Sequence, residues 1–547
     1  MKQYDRWQYS SEQAFSEIVI LTPDGKEEKV QSFRLQPAKF SYDRHGYETV
    51  SANGPLLYAA RYTPKKPGVY HFTVIMNERE TERGEWECEA SDNHGFIHIS
   101  KKDSRYFAYS DGTPFCPVGI NLCYPTAYDY SDGTEFGING QKCYLGIRQY
   151  EAWFKNLSQN GVNLVRLWLG HEYFNPDTGE ATELNYLQFA KIDAVVELAE
   201  QYGIKLKLTF EHFRDFSCKD TVPDGYNGYI YKLFHKTLNY GNRACQSMEE
   251  WLTDPLWKSL WLKKVSEFTR RYGGNTSIFT FEFWNEMNAV TADFDTVVAW
   301  NREMMPKCKK LASDNLWVNS LGSLDAEYVQ NMYDFYLKNT EDDFIQFHRY
   351  LDQGARLNCC QPCDFAGEGI KRVQKDNRPI LLAETGAVND CHSGPFRYYS
   401  ADHRGIIFAD CVYTPFFCGS AGCGNIWHWD ERYVESKNLY HMYQKFSEFV
   451  HGIALDEEQF VCRNCSDDRV WMYLLVGKTV TLGYIRNTSD SWDKILRDGQ
   501  QPEPLQAIEL PRADKSALYP IWPGETAEAA GNQIQNLRYG VFLKLYK

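Results

Sequence analysis

The stretch Ile278-Phe279-Thr280-Phe281-Glu282-Phe283-Trp284-Asn285-Glu286 leads a run of apolar and aromatic residues into an amide and a carboxylate. The apolar and aromatic part predicts a strand that is buried on both faces. Polar groups at the carboxyl end of such a strand are typical of a (β/α)8 barrel, because the chemistry of a barrel lies at that rim. A second carboxylate, Glu384, ends a similar apolar run that begins at Pro379.

The sequence on both sides of this stretch alternates between the patterns of strands and helices, which predicts an α/β fold with eight barrel strands. One helix is predicted over 191–199, where apolar residues recur at helical spacing and Gly203 follows as a C-terminal cap. The eight predicted strands are 118–121, 163–169, 204–210, 278–285, 316–320, 344–348, 380–383 and 424–429.

Two regions of β character flank the predicted barrel. Short alternating runs separated by turn signals such as Pro23-Asp24-Gly25 predict an N-terminal β-sandwich over 1–102. The barrel is then expected over 103–452, entered through a hairpin that turns at Asp111-Gly112. Strand-like runs return near the end and predict a small C-terminal β-domain over 453–547.

Composition excludes several classes of partner. The 547 residues are too many for one core, so two or three domains are expected. The formal net charge is −14 and no run of Lys or Arg stands out, so neither nucleic acid nor a membrane is an expected partner. Aromatic residues make up 15% of the chain, which favours a carbohydrate partner only weakly because aromatics also fill large cores.

The N-terminus and the cysteines bear on location. No apolar run follows Met1, so we expect no signal peptide and a cytoplasmic protein, although a secreted protein without its signal would look the same. The sixteen cysteines are then expected to be reduced thiols. Two C-x-x-C pairs, Cys360 with Cys363 and Cys462 with Cys465, have zinc-ligand spacing but lie about a hundred residues apart. No metal and no cofactor are therefore expected.

Two carboxylates that end apolar strands are the equipment of a glycosidase. Glu286 is the candidate acid/base, and Asn285 before it offers an amide to a sugar hydroxyl. Glu384 is the candidate nucleophile, although alone it could be an ordinary acid at a helix N-terminus. Glu282 lies deeper in the strand and is predicted to be structural, with Arg166 as a candidate partner.

These residues resemble those of clan A of the glycoside hydrolases, which includes the cellulase-like family 5. The resemblance covers about residues 104–430, and the lead-in from Arg105 to Phe115 looks like the entry to barrels that carry an immunoglobulin-like domain. One departure is Met287, where many family 5 members have Pro. The residues that carry the resemblance are Arg166, Trp284-Asn285-Glu286, His348-Arg349-Tyr350, Glu384 and Trp427.

The resemblance implies roles for these positions. Glu286 would be the acid/base and Glu384 the nucleophile, with retention of anomeric configuration. Arg166 and Tyr350 would hydrogen-bond the nucleophile, and Trp427 would form the floor under the sugar. From their places at strand ends, His212 and His348 are further candidates for contact with substrate, and Glu211 and Asp430 are weaker ones.

The sequence therefore predicts a retaining β-glycosidase that acts on a carbohydrate substrate. Exo action is the preferred form, and a homo-oligomer is left open. An endo-acting polysaccharide hydrolase needs the same residues, and a non-catalytic carbohydrate-binding barrel needs only the scaffold. Retention requires the two carboxyl groups to lie about 5–5.5 Å apart, whereas inversion requires a wider gap.

Overall fold

The structure is a computed structural model, and it describes most of the chain. Within the described part, no helix combines the length and apolar character that crossing a membrane requires, and every described cysteine is a free thiol. The described residues are 6–128, 143–212, 216–217, 236–290, 292–322, 332–335, 339, 341–352, 361–374, 377–388, 394–430 and 432–547.

Seven segments in the middle of the chain form parallel strands. The first five pair in chain order, and the sixth pairs with the seventh. A single bridge between Leu321 and Phe347 joins the segment after the fifth strand to the sixth. The seven strands are Gly119–Asn121, Leu164–Trp168, Lys205–His212, Ile278–Asn285, Leu316–Val318, Ile345–His348 and Ile380–Glu384.

The eighth strand, which was predicted over 424–429, does not form at that length. It is reduced to single-residue bridges at Ile426, one to each neighbouring strand region. It does not extend further because the Gly424 N–H donates to Val412 of an outer helix and the Trp429 N–H turns back to Trp427. The bridges at Ile426 nevertheless join the first strand to the region after the seventh.

Helices connect the parallel strands. The predicted helix over 191–199 is confirmed and is longer, because the Asn185 side chain caps its start and Gly203, at a φ of 69°, ends it. The main helices are Ile147–Gln159, Tyr186–Tyr202, Met248–Thr253, Pro255–Tyr272, Phe294–Lys309, Pro362–Val373, Ile406–Phe417 and Tyr440–Val450.

The N-terminal region is built from antiparallel strands. One sheet has three strands and another has four, and a hydrophobic cluster that includes Ile18, Tyr62 and Val74 draws on both. The predicted hairpin at Asp111-Gly112 is confirmed by the pairing of Phe107–Tyr109 with Pro114–Phe115. The strands before it are Trp7–Ser11, Glu17–Leu21, Glu27–Gln31, Phe33–Leu35, Ala38–Tyr42, Glu48–Ala52, Leu57–Tyr62, Gly68–Met76, Arg79–Cys88 and Ile97–Ile99.

The C-terminal region forms a five-stranded antiparallel sheet against the helix Ile406–Phe417. Arg486 of this sheet donates to Asp410 of the helix over 2.8 Å, and both side chains are fully buried. A buried ion pair of this kind fixes the register between the two elements. The main strands are Val461–Asn464, Val470–Val476, Val480–Asn487, Lys515–Pro520 and Gly540–Tyr546, with shorter strands at Ile508–Glu509, Glu528–Ala530 and Gln533–Gln535.

Candidate active site

Glu286 follows directly after the strand Ile278–Asn285, every residue of which is buried. The backbone of Glu286 has a φ of 54° and a ψ of 55°, in the left-handed region that non-glycine residues seldom adopt. The side chain is 15% exposed. The turn out of the strand therefore presents the carboxyl group of Glu286 at the rim while the strand itself stays in the core.

Glu286, Glu384 and His348 come together at this rim from three different strands. One carboxylate oxygen of each acid and a ring nitrogen of His348 all lie within 4.8 Å of one another. Nδ1 of His348 lies 2.9 Å from Oε1 of Glu286 and 3.4 Å from Oε1 of Glu384. With both carboxyl groups ionised, a neutral ring carries its proton on Nδ1, whereas a protonated Glu286 would donate to Nδ1 instead. Burial, assisted by Arg166 and Lys207, holds the pKa of His348 well below its ordinary value.

The same three side chains have the donor atoms that could hold a cation. Arg166 already supplies positive charge here, because its guanidinium donates to Glu384. The positive charge of Arg166 would repel a bound cation, which disfavours a metal ion between these three side chains.

Arg166 is the charged centre beneath the two acids and is fully buried. It donates to both oxygens of Glu282, over 2.7 and 2.8 Å, so the predicted pairing of these two residues is confirmed. It also donates to Glu384 and, over 2.8 Å, to Oδ1 of Asn285. Burial opposes charge on Glu282, but Arg166 and then Lys207 outweigh it and lower the pKa of Glu282 to about 2.

Glu384 accepts hydrogen bonds at both oxygens. Arg166 donates to Oε1 and the Tyr350 hydroxyl donates to Oε2. Burial raises the pKa of Glu384 above its ordinary value, and Arg166 and Tyr350 oppose that rise because they stabilise the carboxylate. With the two oxygens held from different directions, the plane of the carboxyl group is fixed.

Asn285 and Trp427 complete the part of the site that the sequence singled out. Asn285 is buried, and its Oδ1 accepts from Arg166. Its Nδ2 is therefore the atom that could donate to a sugar hydroxyl. Trp427 is half-buried. Its ring lies 5.0 Å from that of Trp168 and 5.1 Å from that of Trp429, both of which are almost fully buried. These two rings support Trp427 from behind.

An aromatic wall extends from Trp427 along the rim. Tyr124 packs against Trp168 and Trp429, and it stacks on His171 with ring centroids 4.0 Å apart. Glu48, in the N-terminal strand Glu48–Ala52, accepts from the backbone N–H of Ile147 over 2.7 Å. The start of the helix Ile147–Gln159 is thereby tied to the N-terminal region.

Three other sequence candidates have different outcomes. The backbone of His212 ends the strand Lys205–His212, but its side chain lies outside the described residues. Glu211, a weaker candidate for substrate contact, instead accepts from Trp261 over 3.0 Å and from Lys264 over 2.8 Å, both on an outer helix. Asp430 is held by Arg432. The latter two carboxylates are therefore occupied by structural contacts.

The structure describes three of the four cysteines in the two C-x-x-C pairs. Cys363 is buried and its sulfur accepts from the Thr414 hydroxyl, whereas Cys465 is exposed. Cys360 lies outside the described residues.

The sequence analysis missed residues that hold the site together. Asn121, at the end of the first strand, donates to the carbonyls of Ala383, Asn425 and Ile426 and so ties the first strand to the region of Glu384. An amide at the carboxyl end of a predicted barrel strand was the available signal. Ser320 and Gly322, which contact Glu286 and its neighbours, had no such signal.

No family model matches the chain. Mannan endo-1,4-beta-mannosidase A of Emericella nidulans is 22% identical over 311 residues, which cover 48% of this chain and 77% of that protein. Among solved structures, a Bacteroides vulgatus ATCC 8482 protein described provisionally as a glycoside hydrolase covers 99% of both chains, with a TM-score of 0.54 and 12% identity. A glycoside hydrolase family 5 protein from the same organism covers 83% of this chain and 94% of its own, with a TM-score of 0.51 and 12% identity.

Proposed function

We propose, from the premise that this chain is a glycoside hydrolase similar to family 5 of clan A, that it cleaves β-linked mannosides with retention of configuration. The similarity to family 5 bears out the resemblance that the sequence predicted. The mannoside is the finer part of the proposal, and it is supported by the name of the curated relative from Emericella nidulans.

The observation that carries the mechanism is the short gap between the two acids. One oxygen of Glu286 and one of Glu384 lie within 4.8 Å of each other. This gap supports retention, which needs carboxyl groups about 5–5.5 Å apart, and disfavours inversion, which needs about 6.5–9.5 Å to admit a water molecule between the general base and the sugar.

In the proposed reaction, an oxygen of Glu384 attacks the anomeric carbon while Glu286 gives its proton to the departing glycosidic oxygen. The covalent glycosyl-enzyme then reacts with water, from which Glu286 takes a proton, and Glu384 leaves as a carboxylate. Arg166 and Tyr350 keep Glu384 charged and oriented for the attack. Asn285 would donate to the hydroxyl next to the anomeric carbon, and Trp427 would lie under the sugar ring.

We propose exo action on short chains. The aromatic wall of Tyr124 and His171, which packs against Trp168 and Trp429 next to Trp427, supports it, because bulky side chains beside the cleaved sugar limit how many sugars can lie beyond it. The endo-acting alternative is favoured by the name of the curated relative, an endo-1,4-mannosidase.

The scaffold that we propose for this reaction is a (β/α)8 barrel over 103–452 between an N-terminal β-sandwich over 1–102 and a C-terminal β-domain over 453–547. Pairing of the parallel strands in chain order and the two bridges at Ile426 support the barrel. The hydrophobic cluster shared by the two N-terminal sheets supports the β-sandwich.

The test is turnover of a panel of 4-nitrophenyl β-glycosides by the wild type and by Glu286→Gln. We expect the β-mannoside to be the best substrate of the wild type, and Glu286→Gln to lose at least about a hundredfold in kcat/KM on phenyl β-D-mannoside, whose leaving group needs a proton. Reducing-end-labelled mannohexaose then separates exo action, which shortens the labelled chain one sugar at a time, from endo action, which first yields mid-sized labelled fragments. If neither mannan nor any β-glycoside of the panel is turned over, the proposed function is wrong.

A further inference from the structure

The backbone of Glu286 is held in its left-handed conformation by contacts from the segment after the fifth parallel strand. The Glu286 N–H donates to Oγ of Ser320 over 3.2 Å, and the same hydroxyl donates to the carbonyl of Trp284 over 2.9 Å. The N–H of Met287 donates to the carbonyl of Ser320 over 3.1 Å. Ser320 therefore fixes the chain on both sides of Glu286.

A second contact closes the turn two residues further on. The Asn288 side chain donates from Nδ2 to the carbonyl of Gly322 and accepts at Oδ1 from the Gly322 N–H, each over 2.8 Å. Two opposed hydrogen bonds between one amide side chain and the backbone N–H and C=O of one residue resist rotation as well as separation. They hold Gly322 directly against the turn that carries Glu286.

The side chain of Glu286 lies in the space that any other residue at 322 would need. A Cβ atom added to Gly322 would lie 2.0 Å from both Cδ and Oε1 of Glu286 and 2.1 Å from its Cγ. No pair of non-bonded heavy atoms tolerates that separation, so the carboxyl group would have to move. That movement would take it away from its 2.9 Å contact with Nδ1 of His348.

We propose that Ser320, Gly322 and Asn288 form a positioning clamp whose function is to hold the Glu286 carboxyl group within reach of the departing glycosidic oxygen. None of the three touches the substrate in this proposal. Gly322 and Asn288 act through Glu286, and Ser320, which also hydrogen-bonds Glu282, acts on the acid through the backbone on either side of Glu286. The inference rests on the proposed role of Glu286 as acid/base. It identifies the residues that orient the carboxyl group of Glu286, and it explains why glycine is required at 322.

The clamp predicts a defect of one kind, loss of proton transfer without loss of the nucleophile. Gly322→Ala should lose at least about a hundredfold in kcat/KM on phenyl β-D-mannoside, whose leaving group needs a proton. With 2,4-dinitrophenyl β-D-mannoside, whose phenolate leaves unprotonated, kcat/KM should stay within about fivefold of wild type. Azide should restore kcat, because it attacks the anomeric carbon of the glycosyl-enzyme without a base, releasing Glu384 and forming the glycosyl azide.

The matched control is Gly274→Ala, because a Cβ added there meets no atom within 4 Å and the backbone has no positive φ. It should resemble the wild type on both substrates. Glu286→Ala serves as the reference for complete loss of the acid. A merely structural defect at 322 would lower both rates together and would not respond to azide, and that result would overturn the proposal.

Ser320→Ala is a second test of the clamp that keeps the turn free of new atoms. It should show the same leaving-group dependence at smaller amplitude, about tenfold on the phenyl substrate, since it removes the two hydrogen bonds that the hydroxyl makes to the turn. If Gly322→Ala does not fold, this variant decides, and equal loss on both substrates refutes the clamp. If Glu286→Ala itself shows no dependence on the leaving group, the proposed function has failed rather than the clamp.

Discussion

Tyr350→Phe should impair the enzyme most strongly in acid. The change deletes the hydroxyl that donates to Oε2 of Glu384 and leaves the donation from Arg166 to Oε1 intact. A hydrogen bond to a charged group is worth about 1.5–3 kcal/mol. At about 1.4 kcal/mol for each factor of ten, the ionised fraction of Glu384 on the acid side of the profile falls at least about tenfold.

The sign of the pH effect follows from the reactive form. In the proposed mechanism Glu384 attacks as a carboxylate, so a change that raises its pKa should move the acid limb of kcat/KM to higher pH, by about one pH unit or more. The assay is the pH profile of kcat/KM with an aryl β-mannoside. Tyr413→Phe is the matched control, because that hydroxyl donates to the carbonyl of Met442 instead. An acid limb that does not move in Tyr350→Phe would refute the assigned role of the hydroxyl.

Two further predictions concern stability and substrate contact. The pKa of Glu282 falls from 4.5 to about 2 on folding, which at about 1.4 kcal/mol per pH unit amounts to about 3 kcal/mol of stability. Glu282→Gln should lose this much in urea unfolding above pH 4.5, and the difference from wild type should shrink as the pH falls toward 2; a difference that grows in acid would contradict the pairing with Arg166. Trp427→Ala should lose about 1.5–3 kcal/mol, or about tenfold to a hundredfold, in kcat/KM with little change in unfolding temperature, because it removes a large apolar contact at a half-buried position. Unchanged kinetics would exclude Trp427 as the floor.

The parts of the fold that were predictable are those with strong local signals. The strand Ile278–Asn285 could be predicted because it is mostly apolar and ends abruptly in polar residues. The helix Tyr186–Tyr202 could be predicted from the helical spacing of its apolar residues and from Gly203 at its end. The region 424–429 was harder, because its pairing depends on where an outer helix accepts the Gly424 N–H.

Strict alternation along a strand was a poor guide at the rim. Thr209 donates to Glu282 on the inner side, but the next two residues both face the helix Pro255–Tyr272, Phe210 through Trp261 and Glu211 through Lys264. Two consecutive side chains on the helix side break the period of two that a regular strand has. Glu211 therefore resembles Glu384 in sequence but lies against a helix.

The clamp around Glu286 could not be predicted for a different reason. Ser320 and Gly322 are 34 and 36 residues from Glu286 in the chain, and Gly322 has no side chain to mark it. Their importance comes from the left-handed turn at Glu286 and from the close approach of two loops. Both are properties of the folded backbone, which composition and periodicity do not encode locally.

The central claim is that Glu286 and Glu384 act on one sugar from opposite faces across a short gap. The most direct test is ¹H NMR of the first product formed from an aryl β-mannoside, before mutarotation mixes the anomers. A β-configured product is predicted by double displacement. An α-configured first product would mean single displacement and would contradict the account.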